Sequence, residues 1–279
     1  MLKYKIMSAG YCTHLESITI RGGKWRSQQY PALCTLIQHP EYGNILYDTG
    51  YSSRFFTETK RWPYSLYNII TPVKISEEHT LIHQLQKDGI KPEDISYIII
   101  SHFHADHVAG LKDFPNAKMI FSRDGYNAVK GRTGFSALRK AYLSGLLPND
   151  FVEKAIFIED RNTIILDKAM APFDKGTDIF GDGSVIAIDL SGHAIGQIGI
   201  LFNSNEQQVF LVADSCWSSK AYREYKLPSS ITYLIHDNKS TYQHTLKKLY
   251  DLYSNNKDVK IVPSHCQEIW HEILEKKHV

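Results

Sequence analysis

The stretch that most constrains this chain is Ser101-His102-Phe103-His104-Ala105-Asp106-His107, which sets four candidate metal ligands within six residues. Directly before it runs Ile95-Ser96-Tyr97-Ile98-Ile99-Ile100, short, apolar and rich in β-branched side chains. Such a run reads as a buried strand. The polar residues therefore sit where a strand ends and the chain turns. Side chains alternate along extended backbone, so His102 and His104 point to one side and begin a metal site. Neutral imidazole suits zinc, iron, copper or nickel, and a carboxylate such as Asp106 widens the choice towards manganese.

Later segments repeat the pattern of an apolar strand followed by a polar residue. Residues 183–190 and 198–202 read as strands flanking a turn that carries Gly192-His193. Residues 208–212 read as a strand ending in Ala213-Asp214, and residues 259–262 as one ending in Pro263-Ser264-His265. Residues 231–235 also read as a strand, ending in His236, so two histidines compete for the last ligand position. Earlier, the strand expected at 44–47 ends in Asp48-Thr49-Gly50. D-T-G occurs in aspartic proteases, but their chemistry needs two facing aspartates, and this chain has one such tripeptide.

H-x-H-x-D-H at a strand end resembles the signature of the metallo-β-lactamase superfamily. The G-H turn, the strand-ending Asp214 and the P-S-H segment resemble its further motifs, in order and over nearly the whole chain. The resemblance implies an α/β fold, an αββα sandwich of two mixed β-sheets with helices on the outer faces and the site at one edge. It assigns His102, His104 and His193 to one metal position, Asp106, His107 and His265 to a second, and Asp214 to a bridge. His236 then becomes a pocket or supporting residue, and Asp48 supports the metal loop without binding metal. The implied cofactors are two divalent metal ions, zinc first, with manganese or iron(II) as alternatives. Asp106 and Asp214 are the expected catalytic carboxylates, because they hold the metals whose shared hydroxide is the nucleophile at neutral pH.

Size and motif layout look most like the N-acyl homoserine lactone hydrolases, which implies opening of a lactone or cleavage of an ester. Those enzymes carry a tyrosine three residues after the bridging aspartate. Here that position is Trp217, expected to line the pocket and take no part in proton transfer. A phosphodiesterase on the same dinuclear site, and a mononuclear iron oxidoreductase like the persulfide dioxygenases, are the competing expectations.

The remaining segments set the organisation. Residues 76–89 predict a helix capped by Ser76 and ended by Gly89, and Ser240 with Gln243 predicts a capping box for a helix bearing Tyr242, Leu246, Leu249 and Tyr253. The aromatic segment 51–75 reads as packing, with a flap over the site as the alternative. Residues from about 125 to 180 read as a helical insertion within a single domain over 1–279, and equally as the place where substrate is selected or as an elaborated outer layer. Lysines and arginines are dispersed and the net charge is +2, which argues against a dedicated nucleic-acid surface. No apolar run approaches the roughly 18 residues of a membrane span. A small-molecule substrate, no nucleic-acid or membrane partner, and a cytoplasmic location with reduced thiols are therefore expected. Cys12, Cys34, Cys216 and Cys266 form no C-x-x-C pair; Cys216 and Cys266, next to ligand segments, read as small buried hydrophobes, with pocket-lining thiols as the alternative.

Overall fold

The apolar runs pair into two sheets in the computed structural model, which describes residues 1–276. The first sheet contains β1 (Lys3–Leu15), β2 (Ser27–His39), β3 (Gly43–Tyr47), β4 (Val73–Lys74), β5 (Ile95–Ile99), β6 (Lys118–Phe121) and β7 (Ala155–Phe157), in the order β4-β1-β2-β3-β5-β6-β7. Its β1–β2–β3 part is antiparallel, and β3, β5, β6 and β7 run parallel. The second sheet contains β8 (Thr163–Ile165), β9 (Lys175–Asp178), β10 (Val185–Asp189), β11 (Ile198–Asn203), β12 (Gln208–Ala213) and β13 (Val259–Pro263), in the order β13-β12-β11-β10-β9-β8. It is antiparallel except for the parallel pair β12–β13.

Both sheets are mixed and pack face to face. Ile37, Ile45 and Ile99 of the first sheet share one core with Val185, Ile200 and Leu211 of the second. The Tyr47 hydroxyl crosses that core and donates to the Ile198 carbonyl at 2.8 Å. Parallel strands need cover on both faces, and the outer face of the first sheet receives it from helices carrying Phe55, Leu81 and Leu85. On the second sheet the helix Lys239–Asn255 buries Leu246, Leu249 and Leu252 against Phe210 and Ile261. This is the expected αββα sandwich.

Four local expectations are corrected. The segment 125–180 is not mainly helical: it holds two short helices, Arg123–Val129 and Gly134–Leu138, and then β7, β8 and β9, which extend one edge of each sheet. These strands have three or four residues each, too short to show an alternating pattern. Residues 231–235 are not a strand, because Ser230–Leu234 forms a 3-10 turn whose Ile231 and Leu234 face solvent. The long C-terminal helix is capped by Asn238, which accepts from the Thr241 N–H at 2.9 Å, and not by Ser240. The helix predicted from Ser76 begins at Leu81, capped by Thr80, while Ser76 contacts the His79 ring.

Candidate metal centre

The strand ends of both sheets converge at one edge of the sandwich. After β5 the chain enters the loop 100–104 and then the single turn Ala105–Val108. Asp48, just past β3, locks this loop. It accepts from the Ser101 N–H and hydroxyl at 2.8 Å each and from His107 Nδ1 at 2.7 Å. The Thr49 N–H and hydroxyl both donate to the His107 carbonyl at 2.9 Å. Asp48 has a φ of +58°, a strained conformation for a residue other than glycine, held by this network. Gly50 is needed beside it: its φ is +67° and a Cβ there would lie 2.4 Å from the Ala9 methyl. Asp214 follows Ala213, whose φ is also positive at +47°.

Asp214 lies at the middle of the cluster. Its Oδ2 is 3.2 Å from His265 Nε2 and 3.3 Å from His193 Nε2, and its Oδ1 is 3.3 Å from His107 Nε2. Asp106 reaches His265 Nε2 at 3.2 Å. The donor atoms fall into overlapping groups, each within 4.8 Å: His102, His104 and His193; His102, His107 and Asp214; Asp106, His107 and His265. The seven residues singled out in the sequence are thus all brought together, and all are buried. His265 joins them and is oriented by its Nδ1–H donating to the Pro31 carbonyl at 2.7 Å. His236 stands beside the group and not within it. Its ring packs on His193 and Tyr242, and neither of its nitrogens has a hydrogen-bond partner.

The donor set fits two divalent cations. His102 Nε2, His107 Nε2 and Asp214 Oδ1 are buried without hydrogen-bond partners, a costly arrangement unless something between them is coordinated. His193 Nε2 and His104 Nδ1 meet at 3.0 Å, within hydrogen-bond distance, so both nitrogens are directed at one spot. The protons of the metal-free form tell the same story. Burial pushes the His104 imidazole down to about 4, against the pull of Asp106 and Asp214. Burial and neighbouring imidazoles hold His102 well below the usual histidine range. For His107 burial acts downward too, but Asp48, Asp106 and Asp214 outweigh it and bring it up to about 10. His265 is likewise raised, burial being overcome by Asp214 and Asp106. Asp214 is held well below the carboxylate range because His265, His107 and His193 outweigh its burial. Without metal, protons on His107 and His265 supply the positive charge that the carboxylates require.

A cavity of about 480 Å³ opens over this cluster. Asp106, His104, His193, Asp214 and His265 form its floor; Tyr51, Tyr67, Ile70, Leu138 and Ile231 are among its walls. Segment 51–75 therefore both packs and lines the site, since Phe55 is fully buried while Tyr67 and Ile70 face the cavity. Trp217 also lines the cavity, and its indole N–H donates to Asp214 Oδ2 at 3.0 Å. Sequence reading missed Ser101 as a support and Tyr51 and Cys12 as cavity residues. Ser101 and Tyr51 abut the two motifs, H-x-H and D-T-G, and that adjacency was the available signal.

A two-sheet sandwich with histidines and aspartates gathered at its strand ends defines a metal-binding hydrolase scaffold. The chain belongs to the Metallo-beta-lactamase superfamily, whose family model matches residues 28–265. Among curated proteins it is similar to the N-acyl homoserine lactonase AttM of Rhizobium radiobacter, 23% identical over 268 residues, covering 96% of this chain and 94% of that protein. Among solved structures it resembles an N-acyl homoserine lactone hydrolase with the product N-hexanoyl-L-homoserine bound at its catalytic metal centre, with a TM-score of 0.71, 19% identity and coverage of 97% and 95%. It also resembles AidC, a dizinc quorum-quenching lactonase, with a TM-score of 0.63, 16% identity and coverage of 95% and 88%.

Proposed function

We propose that this chain is a metal-dependent hydrolase that opens a lactone ring or cleaves a related uncharged ester. His102, His104 and His193 would hold one divalent cation, Asp106, His107 and His265 a second, and Asp214 both. Zinc is the proposed metal, in line with the dizinc relative. Two cations held there supply Lewis acidity towards a carbonyl oxygen and make water acidic at neutral pH. The chain's own residues do the rest. Asp48 and Ser101 fix the His107 ring and the loop that carries His102 and His104. Tyr67 and Leu138 exclude water from the reacting carbonyl.

One observation carries the choice of substrate. Among the described residues, no lysine or arginine lines the cavity. The charge of a phosphodiester would be met by the metal ions alone, whereas the apolar wall suits the uncharged body of a lactone or ester. Trp217 stands where the lactonases have a tyrosine, and an indole has no proton to give a leaving alkoxide. Substrates with strained rings or good leaving groups suit this arrangement. The buried free cysteines suit the proposed cytoplasmic location, and a single domain over 1–279 is the proposed organisation.

Metal analysis of protein purified without added metal tests the reading, run beside a panel of N-acyl homoserine lactones, simple lactones, aryl esters and bis-aryl phosphates. Two zinc or manganese ions per chain with lactone or ester turnover is the expected result. One iron per chain with oxygen consumption on a persulfide, or turnover confined to the phosphates, would overturn it.

A further inference from the structure

The cavity mouth carries an apolar surface that catalysis does not use. Ile70, Ile231 and Leu234 line the cavity, yet are 67%, 59% and 70% exposed. Ile69, next to Ile70, is 70% exposed. Trp62 and Phe135, 69% and 60% exposed, meet edge to face with ring centres 5.8 Å apart. Exposed large side chains gathered at one place mark an interaction surface.

The segments that carry the patch are rich in cations. Residues 14–26, 60–71, 130–142 and 227–239, the segments around the mouth, together hold ten lysines and arginines but two carboxylates. Both carboxylates are engaged: Glu16 with Arg26, and Asp237 with Lys140. The chain as a whole is balanced, at 32 cations against 30 acids, so this bias is local. The segments are also tied to one another. The Gly134 N–H donates to the Tyr64 hydroxyl at 2.8 Å, and the Ser229 N–H to the Ile18 carbonyl at 2.9 Å. Lys140–Asp237 joins the remaining pair across the mouth.

We propose that this face docks on an anionic lipid surface, with Trp62, Ile69, Phe135 and Leu234 entering the headgroup layer and the cationic fringe held by lipid phosphates. Apolar side chains on cation-rich segments have the chemistry of that boundary. A second copy of the chain fits worse, because twofold pairing of this face would set the same excess of cations against itself. No described helix is long and apolar enough to cross a membrane, so the contact is peripheral. Docking places the cavity mouth against the layer in which amphiphilic neutral esters and lactones dissolve. The docking itself stands apart from the proposed reaction and is read separately from it.

The test is cosedimentation of the metal-loaded full chain with phosphatidylcholine vesicles and with mixed phosphatidylcholine–phosphatidylglycerol vesicles, followed also by tryptophan emission. Binding to the mixed vesicles, a blue shift, and release by high salt are expected. Ile69→Ser with Phe135→Ser, and separately Arg61→Gln with Arg139→Gln, should each weaken binding about tenfold or more. Both pairs should hydrolyse a short soluble ester within about twofold of the parent protein, since neither touches the cavity. Absence of binding to the mixed vesicles, equal binding to both vesicle types, or a concentration-dependent dimer abolished by the apolar pair would each overturn the proposal.

Discussion

Trp217→Phe isolates one hydrogen bond at the centre of the site. The indole N–H donates to Asp214 Oδ2 at 3.0 Å, while the ring packs edge-on to His193 and His236 at 5.9 and 5.5 Å. Phenylalanine keeps an aromatic face there, though a smaller one, and loses the donor. A hydrogen bond to a charged acceptor is worth roughly 1.5–3 kcal/mol net. Trp217 is half-buried and Asp214 keeps His265 Nε2 at 3.2 Å, so the lower end applies. About 1.4 kcal/mol is a factor of ten in an equilibrium or rate constant. Metal affinity, measured by competition with a chromophoric chelator, should fall about tenfold, and turnover with metal in excess should fall by no more than about tenfold. Unchanged metal affinity with a lowered Tm would show that Trp217 only packs. A loss of about a thousandfold or more in turnover, with metal content and fold intact, would refute the reasoning and give the indole N–H a direct part in the reaction.

Asp214→Ala removes the carboxylate central to both proposed metal positions and should abolish activity; retention of two metals per chain by mass spectrometry would refute its bridging role. His265→Ala should lose one metal while His236→Ala retains both, since His265 lies 3.2 Å from Asp106 and Asp214 whereas His236 packs outside the cluster; the reverse pattern would exchange their roles. Metal binding should release protons and strengthen with rising pH between about 6 and 8, because ligation needs unprotonated ring nitrogens. His107, brought up to about 10, and His265, also raised, carry protons in the metal-free form. Calorimetry in buffers of different ionisation enthalpy measures the release, and none would show these rings already neutral. The four cysteines should resist alkylation at pH 8 in the folded protein, since all are buried and burial pushes up the thiols of Cys12, to about 12, and of Cys34 and Cys216; rapid labelling of the native chain would contradict that burial.

The clustering of the candidate ligands was legible in the sequence because ligation demands particular side chains and strands deliver them at their ends. His102, His104, His193, Asp214 and His265 each follow or flank an apolar run that did prove to be a strand. His236 shows the limit of that rule. Ile231 to Ile235 has the composition of a strand, but its apolar residues face the cavity mouth and solvent, so composition there reports the rim of a cavity and not a buried ladder. Strands β7, β8 and β9 were illegible for another reason: edge pairing of three or four residues is decided by neighbours distant in the chain. The Trp217–Asp214 bond could not be read either, because a rotamer and not a spacing sets it.

The donor atoms come from residue 102 on one sheet and from residues 193, 214 and 265 on the other. During synthesis, His265 leaves the ribosome 163 residues after His102. A nascent chain therefore cannot assemble the full centre early and capture whichever ion is most competitive. Loading becomes a late event, open to selection by the folded geometry. Bound metal in turn becomes a certificate that both sheets have met in register: a truncated or misfolded chain would be recognisable by its missing ions before any assay of catalysis.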